Sequence, residues 1–315
     1  MPTLQIGGTP ISALTLGTVQ LGIPYGIANT SGKPDKANAF RILEAATKGG
    51  VTGFDTAGSY GDAEVLLGEF FANRPDKPVL VSKMTLPLET GLSAAEIERL
   101  MDEKTESTLR RLQIGQLPVM LLHNPDVLLQ HGETITRRLR KLQRDGLVAK
   151  AGVSIDGHSD EQYEQLWRII KDDVYEALQI PLNVLDHRLI RQGAIREFAA
   201  AGKIVFARSV FLQGLLLMDE ETVAERVPGA IAPLRTLRSL AEREGFTVAE
   251  AAISFVRDMP EIASLVIGAE TDGQLNDTIK LMSGPAIGEE LRAGIMRELG
   301  GIPASVLNPV RWPKR

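Results

Sequence analysis

Residues 119–154 read VMLLHNPDVLLQHGETITRRLRKLQRDGLVAKAGVS. An apolar run of strand length, Val119–Leu122, is followed by an amphipathic stretch, Glu133–Asp145, and then by a second apolar run, Ala149–Ser154. Gly146 stands where a helix C-terminus favours a left-handed residue. Two strands joined through a helix run parallel, because antiparallel neighbours need only a tight turn.

The same alternation continues in both directions, from near residue 14 to near residue 282. Further strand-like runs are Leu14–Gly17, Gly53–Thr56, Val79–Lys83, Ala177–Pro181, Lys203–Arg208 and Leu265–Ile267, which brings the total to eight. Helical periods fill the gaps at Asp35–Lys48, Asp62–Phe71, Ser93–Arg111, Asp160–Lys171, Leu189–Ala201, Ala232–Glu244 and Thr271–Met282. Ser93 with Glu96 and Thr247 with Glu250 have the spacing of capping boxes, in which each side chain satisfies an orphan N–H of the first turn. The second opens an apolar helix, Val248–Arg257, that is extra to the repeat, as are the segment Val210–Ile231 and a terminal helix near Glu289–Leu299. Thr3–Ile6 and Ile11–Leu14 flank the turn-rich Gly7-Gly8-Thr9-Pro10 and read as a hairpin before the first repeat. Eight parallel strands with right-handed helical crossovers close most naturally into an α/β fold of the (β/α)8 TIM-barrel type, with an N-terminal hairpin and extra helices, as one domain over residues 1–315. An open doubly wound sheet is the competing architecture, but the first βα junction lacks the G-x-G-x-x-G phosphate turn.

Composition removes several classes of function. The net charge of −5, without any dense basic cluster, argues against a nucleic-acid partner. Cysteine is absent, which excludes disulfides, thiolate zinc sites and cysteine nucleophiles. The four histidines, His123, His131, His158 and His187, show no metal-ligand spacing, so no metal is expected. No run approaches the ~18 apolar residues of a membrane span, and the N-terminus lacks the basic start and apolar run of a signal peptide. The expected location is the cytoplasm, with no membrane partner.

In a barrel of this type reactive groups gather at the C-terminal ends of the strands and in the loops that follow. There the sequence places Asp55 and Tyr60 after strand two, Lys83 at the end of strand three and His123 after strand four. Singly, each has an ordinary structural reading as a cap, a snorkelling cation or a hydrogen-bonded core residue. Together they put an acid, a phenol, an ammonium and an imidazole at one mouth, and charges buried side by side need a reason. A free phenol, with a pKa of ~10, is too weak an acid to give up its proton at neutral pH. A cation ~4 Å away at an effective dielectric of ~20 favours the phenolate by roughly 4 kcal/mol. Lys83 would be that cation for Tyr60, Asp55 would keep it charged, and His123 would hydrogen-bond a bound carbonyl oxygen or relay its proton. The set suits carbonyl reduction.

The chain resembles the aldo-keto reductases through Gly17-Thr18, Gly53-Phe54-Asp55-Thr56-Ala57 with Tyr60-Gly61 and Glu64, Ser82-Lys83, Leu121-Leu122-His123, Gly152-Val153-Ser154, Gln179, Ser209 with Gln213-Gly214, and Gly268 with Gln274. The resemblance covers nearly the whole chain in order. It implies the family's barrel, a nicotinamide cofactor, NADP(H) or NAD(H), and reversible hydride transfer between an aldehyde or ketone and the alcohol. It further implies that Asp55, Tyr60, Lys83 and His123 are catalytic. The same resemblance places Gly17, Thr18 and Asp55 at the cofactor, with Ser154 and Gln179 on the nicotinamide carboxamide. Ser209, Phe211 and Gly214 fall along the pyrophosphate, and Gly268, Glu270, Gln274 and Thr278 at the adenosine end.

Four positions depart from the family's pattern. Ile155 and Thr278 each stand where an asparagine is common, and Arg208 replaces an aromatic ring against the nicotinamide. A guanidinium there can stack on the cofactor or reach the substrate; an ion pair with a neighbouring carboxylate is the plainer alternative. The strand-eight loop Gly268-Ala269-Glu270-Thr271 has no cation for a 2′-phosphate, and Glu270 would repel one, which favours NADH or dual use over the family's usual NADPH. Tyr25 and Asn29 in the long first loop, Leu21–Pro34, together with Asn124, His187, Arg188 and Arg191, suit a hydroxyl-rich substrate such as a sugar; Tyr25 and Asn124 are the residues assigned to it. Trp167 and Tyr163 lie on a helical face and read as core or surface residues. Two other classes stay open: a nucleotide-binding regulatory or sensor barrel with little turnover, and a lyase forming a Schiff base through Lys83.

Overall fold

The computed structural model describes residues 4–6, 8–75, 77–89, 91–155 and 160–312. Strands β3 (Leu14–Gly17), β4 (Gly53–Asp55), β5 (Val79–Met84), β6 (Leu117–Leu122), β7 (Val148–Ser154), β8 (Tyr175–Pro181), β9 (Ile204–Arg208) and β10 (Ser264–Gly268) form a closed, all-parallel barrel in which β10 returns to pair with β3. Every one of them lies within two residues of its sequence-based range, and helices join them around the outside.

Side-chain parity explains how a barrel of apolar strands carries a polar mouth. Successive residues of a strand face opposite sides. Val79 and Val81, Val119 and Leu121, Ala177, and Ile204 and Phe206 pack into one inner cluster. Their neighbours Leu80, Met120, Leu122, Leu178, Val205 and Ala207 belong to the layer shared with the helices. Continuing the inner parity by one step reaches Lys83, His123, Gln179 and Arg208, so the interior is hydrocarbon low in the barrel and polar at its C-terminal end. The inner floor is sealed by Ile6 and Ile11, which join the same cluster.

The hairpin is tighter than expected. β1 (Gln5–Ile6) pairs antiparallel with β2 (Thr9–Pro10), and the Ile11 N–H adds a bond to the Leu4 carbonyl at 2.9 Å, while the Ile11 side chain joins the barrel floor and Leu14 already belongs to β3. Thr3 and Gly7 lie outside the described residues, as does His158. Two helices also differ from expectation. The one expected over Glu133–Asp145 runs Val127–Arg144, and the non-helical backbone of His131 marks the break that hid its first turn. The stretch Leu189–Ala201 is two short helices, Arg188–Arg191 and Ala194–Ala200, separated by Gly193 at φ +73°. Both capping boxes are formed: Glu96 accepts from the Ser93 N–H at 2.8 Å and Glu250 from the Thr247 N–H at 2.8 Å. Tyr163 is buried against Phe198 and Trp167 packs on the same ring, as a core face would have them. No helix among the described residues is long and apolar enough to cross a membrane.

Candidate active site

Lys83 is 2% exposed, and its ammonium spends its three protons on Asp55 Oδ1 at 2.6 Å, Asp55 Oδ2 at 2.7 Å and the Thr56 carbonyl at 2.9 Å. Burial pulls against its charge, but the Asp55 carboxylate, Tyr60 and the Asp55 hydrogen bonds outweigh that and hold the ammonium above lysine's ordinary range. Nζ sits 5.1 Å from the centre of the Tyr60 ring, and the His123 ring meets Tyr60 edge-on at 5.7 Å. The four residues expected to act on substrate therefore share one space at the barrel mouth.

The phenol is delivered by a loop pinned along its length. Thr56 N–H donates to Val81 O at 2.8 Å and Gly58 N–H to Lys83 O at 3.1 Å, tying the loop to the strand that carries the lysine. On its other side Gly22 lies so close that an added Cβ would be 1.7 Å from the Tyr60 carbonyl. Tyr60 itself is half-buried.

Around this core lie the residues assigned to a cofactor. Thr18 is fully buried and bonds the Asp55 carbonyl with both its N–H (2.8 Å) and its hydroxyl (2.9 Å), while Gly17 registers with Asp55 across the strand pair. Gln179 donates to Asp55 Oδ2 at 2.7 Å and accepts from the Ser154 hydroxyl at 3.4 Å, so this amide reaches the mouth already linked to the acid. Ile155 is buried and adds no polar group. Arg208 donates to the Ile155 carbonyl at 3.1 Å and to Ser209 Oγ at 3.3 Å. Inward parity places it at the mouth.

After β9 the backbone takes an uncommon path. Ser209, Leu212 and Gln213 all have positive φ, ahead of Gly214 at +89°. Each non-glycine residue so placed costs of order 1 kcal/mol, and such strain gathers at ligand clamps. The Gly214 N–H donates to Phe211 O at 2.9 Å. Among the described residues the N–H groups of Phe211 and Gln213 have no protein acceptor. Between β10 and β3, Gly268 leaves room for Gln20, whose Oε1 is buried without a partner and would lie 2.2 Å from a Cβ there. Backbone donors in a strained turn, an orphaned buried amide oxygen and a cation alongside fit a phosphate-bearing, hydroxyl-rich ligand such as a nicotinamide dinucleotide.

The long first loop closes over one side. Tyr25, 37% exposed, accepts from Gln213 Nε2 at 3.0 Å, and Ser31 reaches Glu270 Oε2 at 3.5 Å. Burial pushes the Tyr25 hydroxyl up and Tyr60 adds to this, whereas Arg208, Gln213 and Lys83 pull it back, so the hydroxyl feels Tyr60, Lys83 and Arg208. Glu270 is half-buried and faces that loop; desolvation raises its carboxyl and Ser31 opposes it. Gln274 Oε1 accepts the Glu270 N–H at 2.8 Å and so shapes the strand-eight loop from within.

Several residues singled out in the sequence are engaged within the protein. Thr278 is buried and returns its hydroxyl to the Gln274 carbonyl of its own helix at 3.0 Å. Asn124 holds Leu86 by both N–H (3.0 Å) and carbonyl (2.6 Å), so its amide braces the loop after β5. Asn29 likewise binds its own loop at Tyr25 O and Gly32. His187 is buried against Phe255, and Arg188 pairs with Asp186. Sequence reasoning assigned no role to Gln20 or to the Gln213 side chain. Only the absent Cβ of Gly268 hinted at the first, and nothing local signalled the second.

Comparison with known proteins gives the family and the fold. A sequence profile described as "Aldo/keto reductase family" matches residues 13–291. The aldo-keto reductase YhdN of Bacillus subtilis is 25% identical over 291 residues, 85% of this chain and 84% of its own. A glycerol dehydrogenase structure from Gluconobacter oxydans superposes with a TM-score of 0.72 at 24% identity, covering 98% of this chain and 97% of that one. A Klebsiella pneumoniae aldo/keto reductase in complex with NADP and acetate gives 0.69 at 24% identity, over 94% and 95%.

Proposed function

The chain belongs to the aldo/keto reductase family, and we propose that it interconverts a small hydroxyl-bearing aldehyde or ketone and its alcohol, with Tyr60 as the proton donor and acceptor. The observation that carries this reading is the Lys83 ammonium, held by both oxygens of Asp55 beneath the Tyr60 ring. A nicotinamide cofactor bound at the mouth would supply or accept the hydride. Tyr60 gives its proton to the carbonyl oxygen as negative charge develops there, and Lys83 stabilises the phenolate left behind. Asp55 keeps Lys83 charged and Gln179 orients Asp55. His123, edge-on to Tyr60, stands where its ring can hydrogen-bond the same oxygen.

A Schiff base through Lys83 fits poorly, because an amine must be deprotonated to attack and this one has all three protons engaged and its charge favoured. For the cofactor, Glu270 supports NADH or dual use: it is half-buried and turned toward Ser31 across the strand-eight loop, where a 2′-phosphate would meet its charge. For the substrate, Tyr25 and Gln213 give the mouth a polar side, and the structural likeness to a glycerol dehydrogenase supports a polyol or sugar. The test is a fluorescence titration with NADPH and NADH followed by a carbonyl panel that includes sugars, run in both directions. Turnover of hydroxylated carbonyls supports the reading. Cofactor binding without turnover of any carbonyl or alcohol favours a sensor.

A further inference from the structure

Behind the mouth, on the outer face of the same strands, lies a buried charge that proton transfer does not use. Glu64 is 1% exposed and opens the helix Ala63–Phe71, four residues after Tyr60. Its carboxylate accepts from the Ser82 hydroxyl, from Thr108 Oγ1 at 3.1 Å and from Arg111 Nε at 2.6 Å. Ser82 precedes Lys83 on β5 and, by strand parity, points outward where Lys83 points inward. One carboxylate thus joins the helix leaving the Tyr60 loop to the strand carrying the lysine.

Arg111 completes the brace from the helix Ala94–Leu112. Its Nη2 would lie 3.2 Å from a Cβ on Gly58, placing the guanidinium directly beneath the Tyr60 loop. Its carbonyl lies against Gly68, where a Cβ would come within 2.2 Å, so the two helices are locked in register at this point. Ser107 and Thr108 hold the remaining guanidinium edges. A fold staple alone would not need a desolvated charge, since an apolar filling of the same volume is commonly as stable or more so. A directional network anchored on both sides of the reacting pair has a geometric use.

We infer that Glu64, linked to Ser82 and Arg111, is a positioning residue that sets the spacing between Tyr60 and Lys83. The inference rests on Tyr60 being the acid–base group. Glu64→Gln keeps the shape but turns an amide donor toward Arg111 or Ser82, and Ser82→Ala cuts the link to the lysine strand while leaving the Glu64–Arg111 pair intact. Both variants, with the parent and Tyr60→Phe as references, are assayed for kcat, KM, cofactor dissociation constant and the pH profile of alcohol oxidation. A looser Lys83–Tyr60 pair lowers kcat about tenfold with KM and cofactor affinity within about twofold, and moves the half-maximal pH of oxidation upward. Ser82→Ala moves the same quantities in the same direction by less, and decides the matter if Glu64→Gln does not fold. A variant that only melts earlier, with kcat and pH profile like the parent, overturns the positioning role. Carbonyl reduction surviving in Tyr60→Phe overturns instead the assignment of the acid, so the two failures are told apart.

Discussion

Replacing Lys83 by methionine removes the buried cation while keeping a side chain of similar length. With the charge 5.1 Å from the Tyr60 ring centre, and an effective dielectric of ~20, its attraction for negative charge on the phenol is about 3 kcal/mol. That converts to roughly a two-hundredfold slower proton transfer at ~1.4 kcal/mol per decade. The same change strips Asp55 of its buried partner and leaves only Gln179, a loss that costs ~3–5 kcal/mol in other buried pairs. The variant Asp55→Asn/Lys83→Met, in which neither charge remains, should therefore melt higher than Lys83→Met alone. The assay is single-turnover carbonyl reduction followed by reduced-cofactor absorbance, with circular dichroism to verify folding. Lys83→Met should bind cofactor within about threefold of the parent, under 1 kcal/mol, and both variants should reduce carbonyl ~200-fold more slowly. Folded variants that turn over within about twofold of the parent would refute the role given to the Lys83 charge.

Three further outcomes follow from named contacts. His187 is buried with an unpartnered Nδ1, and burial lowers its affinity for a proton; the folded state therefore disfavours the charged ring, and stability is fully present above the ordinary histidine value of ~6.5 and declines as pH falls through that value toward the depressed one. Thermal melts should drop between pH 7 and 5, and His187→Gln should flatten that drop; an unchanged slope contradicts the assignment. Gly22→Ala drives a Cβ into the Tyr60 carbonyl and should destabilise by ~3 kcal/mol or more, whereas Gly115→Ala, with open space around it, should leave the melting temperature nearly unchanged. Glu270→Gln should improve NADPH affinity about tenfold relative to NADH, or ~1.4 kcal/mol, by removing a carboxylate from the path of a 2′-phosphate; equal titrations of parent and variant would show that Glu270 is remote from the ribose.

What could be read from the chain depended on the range of the forces involved. The barrel was legible because each strand is a short apolar run bounded by helix caps such as Ser93 and Thr247, and these signals are local. The mouth was legible in Asp55, Tyr60, Lys83 and His123 because strand ends are fixed once the strands are. Parity carries the argument one step further, to the inward direction of Arg208. Less legible were side chains that bond a nearby backbone group. Asn124 and Thr278 found acceptors or donors at Leu86 and Gln274, contacts that depend on loop geometry and leave no periodic trace. The kink at His131 and the break at Gly193 interrupted helices whose apolar faces otherwise ran on. The Glu64 network was hidden for the same reason: its four members come from two helices and a strand, up to 47 positions apart.

The most direct measurement is carbonyl reduction by Tyr60→Phe, which deletes one hydroxyl and leaves the ring between Lys83 and His123. With cofactor bound as tightly as in the parent, turnover should fall by several orders of magnitude at every pH, because the hydroxyl that Lys83 activates as the proton donor is gone. A folded Tyr60→Phe enzyme that reduces the same substrate at close to the parent rate would contradict the assignment of Tyr60 as the acid.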